Sequence, residues 1–167
     1  QKIRIPDELA LARTNPSRWL GSSDREGIID GKLHLQKSND YGLFTNIELL
    51  PKLAWIEYLS GNNERAIELL QNAADRQHGQ AKAISLYYRG AILNRLKLFN
   101  EAQTSLDQAL AERSDLSAAR EEKGESLWQL DRKNEAVSTW NEAVSESSGL
   151  VLAHYLLAGA TAAMGDP

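Results

Sequence analysis

The residues best placed to do chemistry in this chain are three carboxylates close together, Glu121, Glu122 and Glu125. Paired carboxylates can carry general acid–base catalysis, but on a charged helix the simpler reading of such a run is a solvated face. His34, His78 and His154 have no His or carboxylate neighbour at the usual zinc-ligand spacings, and His154 reads as a packing or shoulder position of a helix. Gly124-Glu125-Ser126 begins like a nucleophile elbow. It lacks the closing glycine and the strand–turn–helix setting that would expose the serine. No G-x-x-x-x-G-K phosphate loop occurs, and Gly61 reads as a turn glycine. The chain has no cysteine, which excludes disulfides, thiolate metal sites and a Cys nucleophile. Asn15 is followed by Pro16 and Ser17, and proline there removes the glycosylation acceptor. The expectation is a protein with no catalytic residue, no metal ligand and no cofactor.

Binding is then the function to look for, and composition narrows the partner. The 167 residues are 42% hydrophobic and 25% charged, with a formal net charge of −4, ordinary values for a globular chain with a real core. Residues 1–46 are close to neutral, and residues 47–167 carry the deficit. Nucleic-acid binders show clustered Lys/Arg, and none is visible, so nucleic acid is excluded as a partner. The longest weakly polar stretch, Gly149 to Gly165, is short of the roughly 20 apolar residues a membrane span needs. A buried helix is the better reading, and no direct membrane insertion is expected. The N-terminus has neither Met nor a signal pattern, as in a processed or excised chain. Compartment stays open, cytoplasmic or exported.

The elements that would position a binding surface come from an internal repeat. Gly90, Ala102, Leu106 and Ala109 recur 34 residues later as Gly124, Ala136, Trp140 and Ala143. The same small–small–large–small pattern occurs earlier at Ala54, Ala66, Leu70 and Ala73, and a fourth start falls at Ala158. Each unit reads as two helices, A and B, joined by a polar turn. The turns are Ser60 to Asn63, Lys97 to Asn100, Asp131 to Asn134, and Gly165-Asp166. Packing explains the spacing. The first small residue lies where helix B must approach helix A, and the large residue fills the space between units. Glycine inside a helix costs about 1 kcal/mol against alanine, so Gly90 and Gly124 answer a steric demand that a larger side chain would violate.

With Gly90-x11-Ala102-x3-Leu106-x2-Ala109 and its in-phase copy from Gly124, the chain resembles the tetratricopeptide repeat family over about residues 47–167. The expected fold is all-α, a right-handed α-α superhelix of tetratricopeptide-type helix pairs. The units are 47–82, 83–116, 117–150 and a partial 151–167, after an N-terminal extension at 1–46. Ser114 and Ser148 replace a proline common after helix B, and Arg120 and His154 stand where a helix-A landmark is often aromatic. The resemblance implies a protein-interaction scaffold whose A helices line a groove. In that register Trp55, Tyr58, Tyr87, Asn94, Arg95, Glu121, Glu125, Trp128 and Tyr155 face a bound peptide, with the aromatic residues as anchors. Asn94 and Arg95 would hold a peptide backbone or carboxylate, and Glu121 and Glu125 a basic group. Relatives that clamp a C-terminal carboxylate use Lys and Asn in the first repeat, where this chain has Pro51 and Trp55. The third repeat offers Glu121 and Glu125 instead of cations, which argues against that clamp. Core packing is the alternative for Trp and Tyr at helical spacing.

Two further expectations concern the ends. Over residues 24–38 a capping box at Ser23 and Glu26 favours a helix over the hairpin signalled by Asp30-Gly31. Val151 to Met164 carries no charged residue, whereas a terminal solenoid helix needs a polar outer face. The native protein is therefore expected to continue with another helix. Self-association, or burial against residues 1–46, would cover the stripe in this chain. Two other roles stay open: a docking or regulatory domain of a larger enzyme or assembly protein, and a self-assembling scaffold.

Overall fold

The computed structural model describes residues 49–147 and 150–165; the readings of residues 1–46, helix and hairpin alike, lie outside them. The described residues form seven helices and no strand. They are α1 Leu49–Leu59, α2 Asn63–Arg76, α3 Gly79–Arg95, α4 Phe99–Glu112, α5 Ser117–Gln129, α6 Lys133–Glu146 and α7 Val151–Met164. The all-helical class follows from the repeat: α1, α3, α5 and α7 are A helices, and α2, α4 and α6 are B helices. The chain divides into two compact units, the first ending at Leu69 and the second beginning at Leu70, inside α2.

In the first unit α1 is buried on every side, since Leu53, Ala54, Trp55, Ile56 and Glu57 are consecutive and all interior. Pro51 sits in the first turn, where its missing N–H leaves no ladder bond unmade. Glu57 braces the following turn. Its carboxylate accepts a 2.7 Å bond from Asn62 Nδ2 and lies 3.5 Å from Arg65 Nε.

In the second unit α3 pairs with α4 and α5 with α6, α4 packs on α5, α6 on α7, and α3 also reaches α5. The pairs close around the two glycines. A Cβ added at Gly90 would stand 2.5 Å from Leu106 Cγ, and one at Gly124 would fall onto the Trp140 indole, 2.7 Å from Cε2. Trp140 is fixed further by its Nε1–H, which donates to the Glu121 carbonyl at 3.0 Å. Leu86, Leu106, Ala109 and Ala119 form one core cluster with Ala74, and Leu127, Ala136, Trp140 and Ala160 form the next.

The A helices end in one backbone solution. Gly61, Lys97, Asp131 and Gly165 all have positive φ, at 85°, 63°, 60° and 73°. In the first three, the residue after the positive-φ position donates back to the carbonyl five residues earlier, as Leu98 does to Leu93 at 2.9 Å, the bonding of a Schellman cap.

The glycine contacts yield opposed outcomes at two glycines of the A helices. Nothing lies within 4 Å of a Cβ at Gly159. Gly159→Ala should therefore raise stability by up to about 1 kcal/mol through helix propensity. Gly124→Ala should lower it by about 1–3 kcal/mol through overpacking. Urea unfolding of both variants checks the signs.

Candidate functional site

The three carboxylates of α5 have three different fates, and only one lacks a hydrogen-bond or ion-pair partner among the described residues. Glu122 is 9% exposed. It accepts from Arg95 Nη1 at 3.0 and 3.1 Å and from Asn94 Nδ2 at 3.1 Å, while Asn94 Nδ2 also donates to the Glu122 carbonyl at 2.8 Å. Ser126 Oγ donates to Asn94 Oδ1 at 2.6 Å and completes the network. A carboxylate with this set of donors is one a buried site can hold. Glu121 turns the other way. Its Oε2 accepts from the Ala153 backbone N–H at 3.0 Å, in the first turn of α7, where helix N–H groups lack internal partners. Burial pushes its carboxyl up, partly offset by that bond, and Glu122 and Glu125 push it further. The expectation of a solvated acidic face is thus overturned at Glu122 and Glu121, because one anchors α3 and the other caps α7.

Glu125 is half-buried and has no hydrogen bond or ion pair among the described residues. Burial raises its carboxyl, Glu122 adds to the rise, and Arg95 opposes it. It borders a recess of about 280 Å³ between α5 and α7, shared with Trp128, Gln129, Trp140, Tyr155, Leu156, Gly159 and Ala160. Trp128 packs at the edge of the core cluster around Trp140, their ring centroids 5.9 Å apart. Lys133 Nζ lies 5.7 Å from its ring centroid. Tyr155 is 74% exposed.

Of the residues expected to face a peptide, Glu125, Trp128 and Tyr155 come together here. Two others are interior. Trp55 is 6% exposed because α1 is buried all round, and its ring stands edge-on to Tyr58 at 5.6 Å. Asn94, also 6% exposed, has its amide engaged by Glu122 and Ser126. Tyr58 is half-buried in the first unit. Tyr87 packs against the Leu86 cluster, and burial, then Glu122, drives its phenol well above the ordinary tyrosine range. Arg95 is partly exposed, but its Nη1 is held by Glu122 and by the Ala91 carbonyl at 2.8 Å. His154 is exposed rather than packed. Sequence reasoning missed Glu122 as the organising residue; the signal available was its place next to the groove candidate Glu121, one position round the helix toward α3. Among the described residues no group of three or more His, Asp or Glu is placed to hold a metal ion, and no helix is long and apolar enough to cross a membrane.

The two carboxylates should respond oppositely to loss of charge. Glu122→Gln should cost about 1–3 kcal/mol, because charged hydrogen bonds in a buried network are weakened. Glu125→Gln should be more stable than the parent at neutral pH. The raised carboxyl of Glu125 means that folding disfavours its ionised form, so its contribution is most favourable below the unfolded pKa and is lost as pH rises through the folded one. The advantage of Glu125→Gln should accordingly vanish as pH falls through the carboxylate range. Denaturant midpoints measured across pH for both variants decide this.

No known family profile matches the sequence, and no curated protein matches it. Solved structures do. MamA superposes with a TM-score of 0.67 at 18% identity, over 98% of this chain and 87% of that one. The first TPR domain of human RPAP3 gives 0.66 at 18% identity, over 71% and 92% of the two chains. The first TPR of Spaghetti (RPAP3), bound to the HSP90 peptide SRMEEVD, gives 0.63 at 18% identity, over 72% and 94%. The fold of this chain is that of the tetratricopeptide-repeat solenoids.

Proposed function

We propose that the second unit is a peptide-binding module whose A helices α5 and α7 present Trp128 and Tyr155 as anchors beside Glu125. The observation that carries this reading is the recess these residues share, floored by Trp140 and Ala160 of the core and bordered by the exposed Tyr155. Aromatic side chains bordering a recess are what peptide surfaces use for affinity. A tetratricopeptide structure of the same fold holds an HSP90 peptide, which supports a polypeptide as the occupant. Binding is favoured over catalysis because Glu121 and Glu122 are engaged in capping and anchoring. The carboxylates around the recess oppose nucleic acid. A docking role within a larger enzyme or assembly protein is one form of the same activity.

Self-association is a second reading. It rests on α7, where Leu152 and Met164 are exposed on a helix without a charged residue. Mass by light scattering that grows with concentration, and falls back for Leu152→Lys, would support it.

The peptide reading is tested by selecting random-sequence peptides displayed on phage against the 167-residue chain. Selected peptides should lose about tenfold or more in affinity on Tyr155→Ser, the loss expected for an anchor, while the melting temperature stays within a degree or so, since the side chain is exposed. Unchanged affinity would remove Tyr155 from the site.

A further inference from the structure

We infer that the recess between α5 and α7 receives a basic side chain of the bound peptide, an arginine; this rests on the peptide-binding reading above. The argument begins with Glu125. Its counterparts one repeat either side, Ala91 and Gly159, carry no charge, so the carboxylate is not part of the repeated packing pattern. It is half-buried, it lacks a hydrogen-bond or ion-pair partner among the described residues, and its surroundings disfavour the lone charge. The guanidinium that acts on it, Arg95, is bound to Glu122, and Glu121 is committed to α7. The charge around Glu125 is therefore negative on balance. A cation entering the recess would neutralise a carboxylate already partly stripped of water, and a peptide carboxylate would meet repulsion there.

The walls narrow the cation. Trp128 and Tyr155 offer ring faces and edges, Gln129 offers an amide, and Gly159 leaves open space where another residue would project. The Trp128 ring already has an ammonium close by, Lys133 Nζ at 5.7 Å, itself tied to Asp131 at 3.2 Å. A guanidinium suits such a place better than an ammonium. It is planar, it forks onto a carboxylate through two parallel hydrogen bonds, and it stacks on aromatic rings with less loss of hydration. The volume, about 280 Å³, lies just under the range of small-molecule pockets, about 300–1,000 Å³, and fits a single long side chain. The acidic peptide SRMEEVD held by the Spaghetti domain has the opposite charge to the one this recess selects.

The test uses the phage-selected peptides, resynthesised with arginine, its neutral isostere citrulline, lysine or glutamate at the enriched position. Affinities are read by fluorescence anisotropy against the parent chain and Glu125→Gln. Arginine should be enriched. Citrulline and Glu125→Gln should each weaken binding by about tenfold or more, the scale of a charge-assisted fork. The two changes together should be no worse than either alone, because they remove one interaction. Retained helical signal and a melting temperature of Glu125→Gln no lower than the parent's exclude loss of fold as the cause. Peptides enriched without a basic residue, lysine preferred over arginine, additive losses, or full binding by Glu125→Gln would each overturn the arginine assignment and leave peptide binding standing. If no peptide is enriched, the peptide-binding reading fails, and the arginine assignment fails with it.

Discussion

Close approach at two glycines governs the second unit. Leu106 can lie over Gly90, and Trp140 over Gly124, only because neither position has a Cβ. That contact sets how near each B helix stands to its A helix, and so where the next A helix can pack. Trp140 illustrates the dependence. It fills the space above Gly124, donates to the Glu121 carbonyl, and supplies the surface on which Trp128 rests. The recess beside Glu125 thus shares a wall, Trp140, with the packing constraint at Gly124. Interiors at crystalline density transmit such constraints, since no slack separates one contact from the next.

α5 is the joint on which this unit turns. Glu122 reaches back to α3 through Asn94 and Arg95, and Glu121 reaches forward to the first turn of α7. Adjacent residues on a helix point about 100° apart, so one turn of α5 addresses both neighbours. Surface pairs such as Lys82–Glu112 and Lys123–Asp107, each 2.6 Å, add little by comparison, because exposed ion pairs contribute roughly 0–1 kcal/mol.

Much of this was legible in the sequence. The spacing from Gly90 and Gly124 to Leu106 and Trp140 identified the helix pairs, because steric demand leaves a residue-type signature at fixed intervals. Turn positions were legible as polar segments, but the left-handed backbone at Lys97 and Asp131 was not. Only Gly61 and Gly165 advertise that conformation by residue type. The binding surface was legible in part. Helical periodicity says which residues share a face, not how deep the face lies. Trp55 and Asn94, expected to face a peptide, are interior, because α1 is buried all round and α5 supplies Asn94 with a carboxylate. Glu122 was hidden for the complementary reason: a buried acid resembles an exposed one until its donors, 27 and 28 positions away, are brought beside it.

The Asn94–Glu122–Ser126 network also bears on whether the repeats are interchangeable. One repeat away from these residues stand Trp128 for Asn94, Tyr88 or Leu156 for Glu122, and Ile92 or Ala160 for Ser126. No other junction in the described residues has the side chains to reproduce it. The backbone repeats while its polar wiring does not, so the units are not cassettes. Excising the repeat that holds α5 would leave the Asn94 amide without its carboxylate, and duplicating it would set a second Glu122 against Trp128 instead of Asn94. A repeating backbone here carries an order of parts that cannot be permuted.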